Sequence, residues 1–200
     1  MKEYTLYLTF KCNWKCSYCI TDTHNQIEPQ DIIEKIKDIE NDSFVSISGG
    51  EPGLASEETV RLTFELLTKK NCKIHLNTNG TFLKKFPQYL DYVNTISYHC
   101  FADEVNPFFR RFPELEYKMD YVITVTDQMM DNLETFFKIN QDIKFSVFSA
   151  DMIINKDGLV NNFLSKKNIL LIYSKYKVYI NQDSLDKLFG KCVTSKTQLK

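Results

Sequence analysis

The stretch that decides the fold runs Tyr4-Thr5-Leu6-Tyr7-Leu8-Thr9-Phe10-Lys11-Cys12-Asn13-Trp14-Lys15-Cys16-Ser17-Tyr18-Cys19. From Tyr4 to Phe10 aliphatic and polar residues alternate, the period-two pattern of a strand. The alternation stops at Cys12, Cys16 and Cys19, spaced so that one loop can bring three sulfurs around a common centre. Thiolates are soft ligands, suited to zinc or to iron–sulfur clusters. A four-iron cluster held by three cysteines leaves one iron without a protein ligand, able to bind a substrate or cofactor directly. The competing reading is a structural zinc site of three cysteines and a histidine, with His24 the nearest fourth ligand. Structural zinc sites more often pair two short ligand hairpins, and no second Cys-x-x-Cys occurs in the sequence.

Outward from this loop, short β-type runs alternate with helical patterns. Asp31 to Ile39 places Ile32, Ile33, Ile36 and Ile39 at helical spacing, and Phe44 to Ser48 reads as a strand ended by Gly49-Gly50. Glu57 to Lys69 is helical, Lys73 to Leu76 a strand, and Asn79-Gly80 a turn. A short helix follows over Phe82 to Leu90, then strands over Val93 to Tyr98, Tyr121 to Val125 and Lys144 to Phe148, with a helix over Gln128 to Phe137 between the last two. A helix near Leu159 to Ser165 and β-like runs at Ile169 to Ile172 and Lys177 to Ile180 complete the pattern.

Such alternation implies a parallel sheet with right-handed crossovers. A full eight-fold barrel takes about 250 residues and a strand–helix–strand unit roughly 30, so 200 residues hold about six units. The expectation is an α/β fold, a partial, open TIM-like (β/α)6 barrel. Residues 1–150 would form its core and 151–200 its C-terminal completion, with no separate auxiliary-cluster domain.

Composition sets the outer limits. Hydrophobic residues make up 43% and charged residues 26%, which excludes global disorder, collagen-like repeats and a coiled coil. Twenty-five basic against twenty-six acidic side chains leave a charge of −1, without the global pull of a general nucleic-acid binder. No run approaches the roughly 20 apolar residues of a membrane span, and Met1-Lys2-Glu3-Tyr4 opens no signal peptide. The expected location is cytoplasmic, where the six cysteines stay reduced.

Two further strand ends carry chemistry. Ser48-Gly49-Gly50-Glu51-Pro52 combines permissive backbone with a carboxylate that could accept charge-assisted bonds from a ligand ammonium. Taken alone it could equally be a turn capping the next helix. Asn77-Thr78-Asn79-Gly80 is either an Asx-type turn or a source of amide and hydroxyl groups for sugar hydroxyls. With three such loops on consecutive strand ends, the chain resembles the radical S-adenosylmethionine (radical SAM) superfamily over roughly residues 4 to 150.

The resemblance implies that Cys12, Cys16 and Cys19 hold a [4Fe–4S] cluster whose open iron takes the methionine end of S-adenosylmethionine. It implies that Tyr18 packs against adenine, and that Gly49, Gly50, Glu51 and Pro52 form the turn whose backbone and carboxylate receive the methionine ammonium. Asn77 and Asn79 lie where relatives contact the methionyl or ribose portion. By position alone, Ser97 and His99 end the strand where relatives place a ribose ligand, with Ser149 a weaker counterpart on the sixth strand. The fifth strand, Ile123 to Thr126, lacks the glycine-containing adenine motif of many members. The chemistry implied is one-electron cleavage of the sulfonium to methionine and a 5′-deoxyadenosyl radical that abstracts hydrogen. A flavodoxin or ferredoxin type donor would supply the electron.

The substrate is less legible. Cys72, Cys100 and Cys192 are scattered and read as ordinary thiols, Cys100 beside His99 being the one to test as a hydrogen donor. Phe108-Phe109-Arg110-Arg111-Phe112 reads as a docking surface for an anionic group or as an amphipathic surface segment. Tyr173, Tyr176 and Tyr179 read as packing against the barrel. Three functions stay open: an enzyme for a small, possibly nucleoside-like molecule, a peptide- or protein-modifying enzyme or glycyl-radical activase, and a metal-stabilised binding module. Absence of an auxiliary cluster motif favours the first, and intact Glu51 and Asn79-Gly80 argue against the third.

Overall fold

Strand β1 (Glu3–Thr9), helix α1 (Pro29–Lys37), β2 (Phe44–Gly49), α2 (Glu57–Lys69), β3 (Lys73–Thr78), α3 (Thr81–Lys85) and β4 (Thr95–Ala102) follow one another in the first half of the computed structural model. Then come β5 (Glu104–Val105), β6 (Met119–Val125), α4 (Met130–Ile139), β7 (Phe145–Ser149), β8 (Ile153–Asn155), β9 (Gly158–Val160), α5 (Lys166–Tyr176) and β10 (Tyr179–Ile180). The structure describes residues 1–16, 19, 27–102, 104–107, 109–125, 130–149, 153–155, 158–160, 166–176 and 179–180. Strands β1, β2, β3, β4, β6 and β7 lie parallel in that order. β10 adds a short parallel edge on β7, and β5 folds back against β4. β1 and β10 end the sheet, which is open, as six strand–helix units predict.

The strands are two-sided. Leu6, Leu8, Val45, Ile47, Ile74, Leu76, Ile96, Tyr98 and Cys100 are buried on one face, packed with Ile32 and Ile36 of α1 and Val60, Phe64 and Leu67 of α2. Fully burying each large apolar side chain stabilises by about 1.5–3 kcal/mol, so this layer holds the sheet to its helices. The alternate residues, Ser46, Ser48, His75, Asn77, Ser97 and His99, are only half-buried and form a polar inner face. Parallel strands covered on both sides usually read as continuous apolar runs. The alternation here therefore marks a face shaped for something other than helix packing.

Helix ends follow their local chemistry. Ser56 Oγ accepts from Thr59 N at 3.1 Å to start α2, while Asp31 Oδ2 accepts from Glu28 N at 3.3 Å ahead of α1, which opens on Pro29. The helix expected over Phe82 to Leu90 is split, because Pro87 disfavours helical backbone at Phe86; α3 ends there and a 3-10 turn spans Pro87–Tyr92. Two C-terminal expectations are corrected. Ile169 to Ile172 lies inside α5, since a short apolar run fits a helix as well as a strand, and Leu170 and Leu171 stay exposed while Ile172 is buried. Leu159 belongs to β9, paired antiparallel with β8, and residues 161–165 of that expected helix lie outside the described ones.

Candidate active site at the strand ends

The cysteine loop begins at an irregularity. Tyr7 pairs with Ser48 and Thr9 with Gly49, so β1 carries a bulge just before the loop. Thr9 is fully buried, and its Oγ1 accepts from Lys11 N at 3.1 Å, turning the chain out of the strand. Gly50 N donates to Thr9 O at 2.9 Å and Glu51 N to Lys11 O at 2.8 Å, clamping the second loop onto the start of the first. This approach requires glycine. Gly49 has φ +119°, and a Cβ on Gly50 would stand 2.2 Å from Lys11 O. Gly50→Ala is therefore expected to lower the unfolding free energy by about 1–3 kcal/mol in a denaturant titration, through enforced backbone displacement.

Inside the loop, Cys19 N donates to Cys16 O at 3.0 Å and Trp14 N to Cys12 Sγ at 3.4 Å. Cys12 and Cys16 are half-buried and Cys19 exposed. Burial pushes the Cys12 thiol up, and the nearby Glu51 and Cys19 add to that, while the Trp14 amide pulls it down. Tyr18 lies outside the described residues, as does His24.

Glu51 is the hub of the second loop. Its side chain is 1% exposed, and four donors converge on it. Oε1 accepts from Gly53 N at 2.9 Å, Thr78 Oγ1 at 2.8 Å and Phe82 N at 3.0 Å. Oε2 accepts from Asn79 N at 2.7 Å. Burial pushes this carboxyl upward and the four donors counter it by favouring the ionised form. The side chain expected to meet a ligand ammonium thus spends Oε1 on its own turn, the end of β3 and the start of α3, and among the described residues Oε2 has one partner. Pro52 is buried behind it, opening a 3-10 turn over Pro52–Leu54.

The third loop is tied in turn to the first. Asn79 Nδ2 donates to Asn13 Oδ1 at 2.8 Å, Asn13 Nδ2 to Thr81 Oγ1 at 3.0 Å, and Thr81 Oγ1 to Asn79 Oδ1 at 2.8 Å. Asn106, buried beyond β5, donates through Nδ2 to Asn79 O and to His99 O, both at 2.7 Å. The expectation for Asn79 was a ligand contact, yet both ends of its amide are engaged within the protein. Asn77 Nδ2 donates to Ser46 Oγ at 2.9 Å and Ile47 O at 3.3 Å, holding β3 to β2. Asn13, Thr81, Phe82 and Asn106 escaped sequence reasoning. Only Asn13 carried a local signal, its place between two candidate ligands.

On the inner face, Ser97 pairs in register with Asp120 and His99 with Val122. His75 Nδ1 bonds Thr95 Oγ1 at 2.8 Å, and Ser146 Oγ donates to Asp120 Oδ1 at 2.6 Å. His99 is half-buried, yet enough protein surrounds its imidazole to push its pKa down to about 4, with His75 adding to the shift. It is neutral at physiological pH. Because the unfolded chain binds that proton near 6.5, His99 supports stability above this value and withdraws it as pH falls toward about 4. Wild type should therefore lose on the order of 1–2 kcal/mol more than His99→Gln between about pH 7 and about pH 5, read by denaturant titration.

The remaining sequence candidates sort by burial. Cys100 is fully buried and donates to Tyr98 O and Val122 O at 3.3 Å, and burial holds its thiol well above the ordinary range. It has the surroundings of a core thiol, not of a hydrogen donor to a bound molecule. Cys72 sits half-buried at the far end of β3, 3.7 Å from Glu40 O. Phe109 packs 5.7 Å from Tyr98, Arg110 lies over the Phe112 ring, and Arg111 pairs with Glu116 and Asp142. That segment is an aromatic seam in which Arg111 is ion-paired and Arg110 lies exposed over an aromatic ring. Cys192, Phe108 and the side chains of Ser149, Tyr173, Tyr176 and Tyr179 lie outside the described residues.

The donor set fits the cluster that the resemblance implies. Three free thiols share one loop, and the buried indole Nε1 of Trp14 between them finds no acceptor among the described residues, as a loop shaped around a sulfur-rich group would leave it. Burial and a neighbouring carboxylate both oppose a bare thiolate at Cys12, a cost that bound iron offsets by keeping the thiol deprotonated. Among the described residues no three His, Cys, Asp or Glu side chains stand close enough together to hold a single metal ion.

Comparison with known proteins agrees with this geometry. A family model described as the Radical SAM superfamily matches residues 6–151. No curated protein matches the chain. Among solved structures, native anSMEcpe with bound AdoMet aligns with a TM-score of 0.59 at 19% identity, covering 89% of this chain and 64% of that one. The same protein with bound AdoMet and the Cp18Cys peptide gives 0.58 at 19%, covering 89% and 63%. SuiB of Streptococcus suis gives 0.57 at 15%, covering 97% and 53%. At such identities the likeness speaks to the fold, and the chain spans less than two thirds of the length of these structures.

Proposed function

This chain belongs to the Radical SAM superfamily, and on that premise we propose that it is an enzyme in which Cys12, Cys16 and Cys19 hold a [4Fe–4S] cluster beside bound S-adenosylmethionine. The observation that carries the reading is the clamp joining the cysteine loop to the Gly49–Gly50 turn, which keeps the two binding elements side by side. Cys12, Cys16 and Cys19 would hold the cluster, which when bound would supply the one-electron reduction that splits the sulfonium into methionine and a hydrogen-abstracting 5′-deoxyadenosyl radical.

The protein's part is placement. The amides of Gly50 and Glu51 are spent on Thr9 at the end of β1 and on Lys11 in the cysteine loop, so what the turn offers an ammonium is acceptor atoms: its carbonyls and Glu51 Oε2. Ser97 and the neutral His99 offer hydrogen-bonding groups on the inner face, toward sugar hydroxyls. Tyr18 is assigned to adenine on its motif position alone. Residues 151–200 complete the sheet, a role supported by the pairing of β10 with β7. A flavodoxin or ferredoxin type protein serves as electron donor.

The substrate we assign to the polar inner face is a small, uncharged or weakly charged molecule, nucleoside-like in its hydrogen-bonding needs. The half-buried Ser46, His75 and Asn77 support this. A peptide substrate is the second reading, favoured by a solved structure of the same fold that holds a peptide with AdoMet. The described helices include none long and apolar enough to cross a membrane. Anaerobic protein given dithionite and S-adenosylmethionine should release 5′-deoxyadenosine; protein with a full cluster that releases none contradicts the proposal. Deuterium transfer into 5′-deoxyadenosine from labelled nucleosides or labelled peptides then separates the two substrate readings.

A further inference from the structure

We propose that Asn13, Asn79 and Thr81 form a latch that positions the cysteine loop, and that Asn79 serves S-adenosylmethionine binding through this latch instead of by touching it. The three side chains close a ring in which each donates one hydrogen bond and accepts one, at 2.8, 3.0 and 2.8 Å. Thr81 N adds a bond to Asn79 Oδ1 at 3.1 Å. A side-chain amide has two donors and a carbonyl oxygen. In Asn79, Oδ1 accepts both bonds from Thr81 and one of the two Nδ2 hydrogens goes to Asn13, so the ring fixes the orientation of the amide at both ends.

The two sides of the ring differ in how they are held. Asn79 N and Phe82 N both donate to Glu51, Asn106 Nδ2 donates to Asn79 O, and Gly80 N donates to Thr78 Oγ1 at 3.0 Å. The third loop is therefore fixed by its own buried partners. Asn13 belongs to the other side, exposed and set between Cys12 and Cys16. Through it the ring transfers the rigidity of the third loop to the middle of the ligand loop. A ligand set held in its bound arrangement before binding loses less freedom on binding, which raises affinity without a new contact.

The inference rests on the cofactor reading above, and the experiment keeps their failures apart. Asn13→Ala, Asn79→Ala, the double variant, Thr81→Val and Thr81→Ser are reconstituted anaerobically as full chains. S-adenosylmethionine affinity is read per assembled cluster, alongside the change that S-adenosylmethionine makes in the EPR signal of the reduced cluster. The latch predicts a roughly five- to tenfold loss for each alanine variant and for Thr81→Val, no further loss in the double variant, and wild-type affinity in Thr81→Ser. Loss in Asn79→Ala alone, with Asn13→Ala and Thr81→Val binding as wild type, would mean direct contact and overturn the latch; fully additive losses overturn it too. Should wild type assemble no cluster, the cofactor reading fails by itself. The latch is then judged on the metal-free chain, where Thr81→Val must speed amide hydrogen exchange over residues 11–16, and unchanged rates refute it.

Discussion

Cys16→Ala should leave the protein without its [4Fe–4S] cluster and reduce 5′-deoxyadenosine release to background. The effect is expected to be complete because the three thiolates come from one loop and none has a stand-in among the described residues. Among the described residues the other free thiols are Cys72, half-buried beyond the opposite end of β3, and Cys100, fully buried and bonded to backbone carbonyls. Neither can move to a vacated iron. Cys72→Ser provides the control: it should keep about four irons per chain and full release, since its sulfur makes long contacts to Glu40 O at 3.7 Å and Lys70 O at 3.9 Å. Iron analysis with chromatography of the nucleoside products reads both variants. Equal loss in the two would point to general destabilisation and remove the assignment.

Glu51→Ala is the second large effect, and it should appear in stability before it appears in chemistry. The carboxylate is 1% exposed and accepts from Gly53, Thr78, Asn79 and Phe82. Removing it strands three backbone N–H groups and one hydroxyl where water does not reach, and opens a cavity between two loops. Breaking a buried charged network from one side costs about 3–5 kcal/mol. Glu51→Gln should cost less, roughly 1–3 kcal/mol, because its oxygen can keep the three donors on one side while its NH2 opposes Asn79 N. The predicted order in urea denaturation of metal-free protein is therefore wild type, then Gln, then Ala. A Glu51→Ala chain as stable as wild type would mean that the carboxylate does not hold the loops together.

This hub explains where reading the sequence succeeded and where it stopped. β1, β2, β3 and α2 were legible because their apolar residues recur at the period of one element, and Gly49-Gly50 was legible because the backbone approach at Thr9 and Lys11 excludes a side chain. Ile169 to Ile172 was misread because four consecutive apolar residues carry no period to separate helix from strand. Glu51 and Asn79 were legible as polar groups at strand ends, but the partners that hold them were not. Their true neighbours, Phe82 and Asn13, lie 31 and 66 residues away in sequence, a separation that no local pattern reports. Asn106 was invisible for the same reason: its two acceptors belong to the third loop and to β4.

The inner face offers a subtler case. Ser46, His75, Asn77, Ser97 and His99 were noticed singly or not at all, yet the parallel register of β2, β3 and β4 sets them on one surface. Their meaning comes from the pairing of strands, which brings His75 near His99 and so helps keep the latter neutral. A polar alternation inside a parallel sheet is the sequence signal that could have found this surface.

What Cys12, Cys16 and Cys19 bind decides the chemistry of this chain. Purified and reconstituted without oxygen, the chain should carry about four irons and matching acid-labile sulfide, and on reduction should give an EPR signal that S-adenosylmethionine perturbs. A colourless chain carrying a single zinc and no iron, with no response to S-adenosylmethionine, would contradict it.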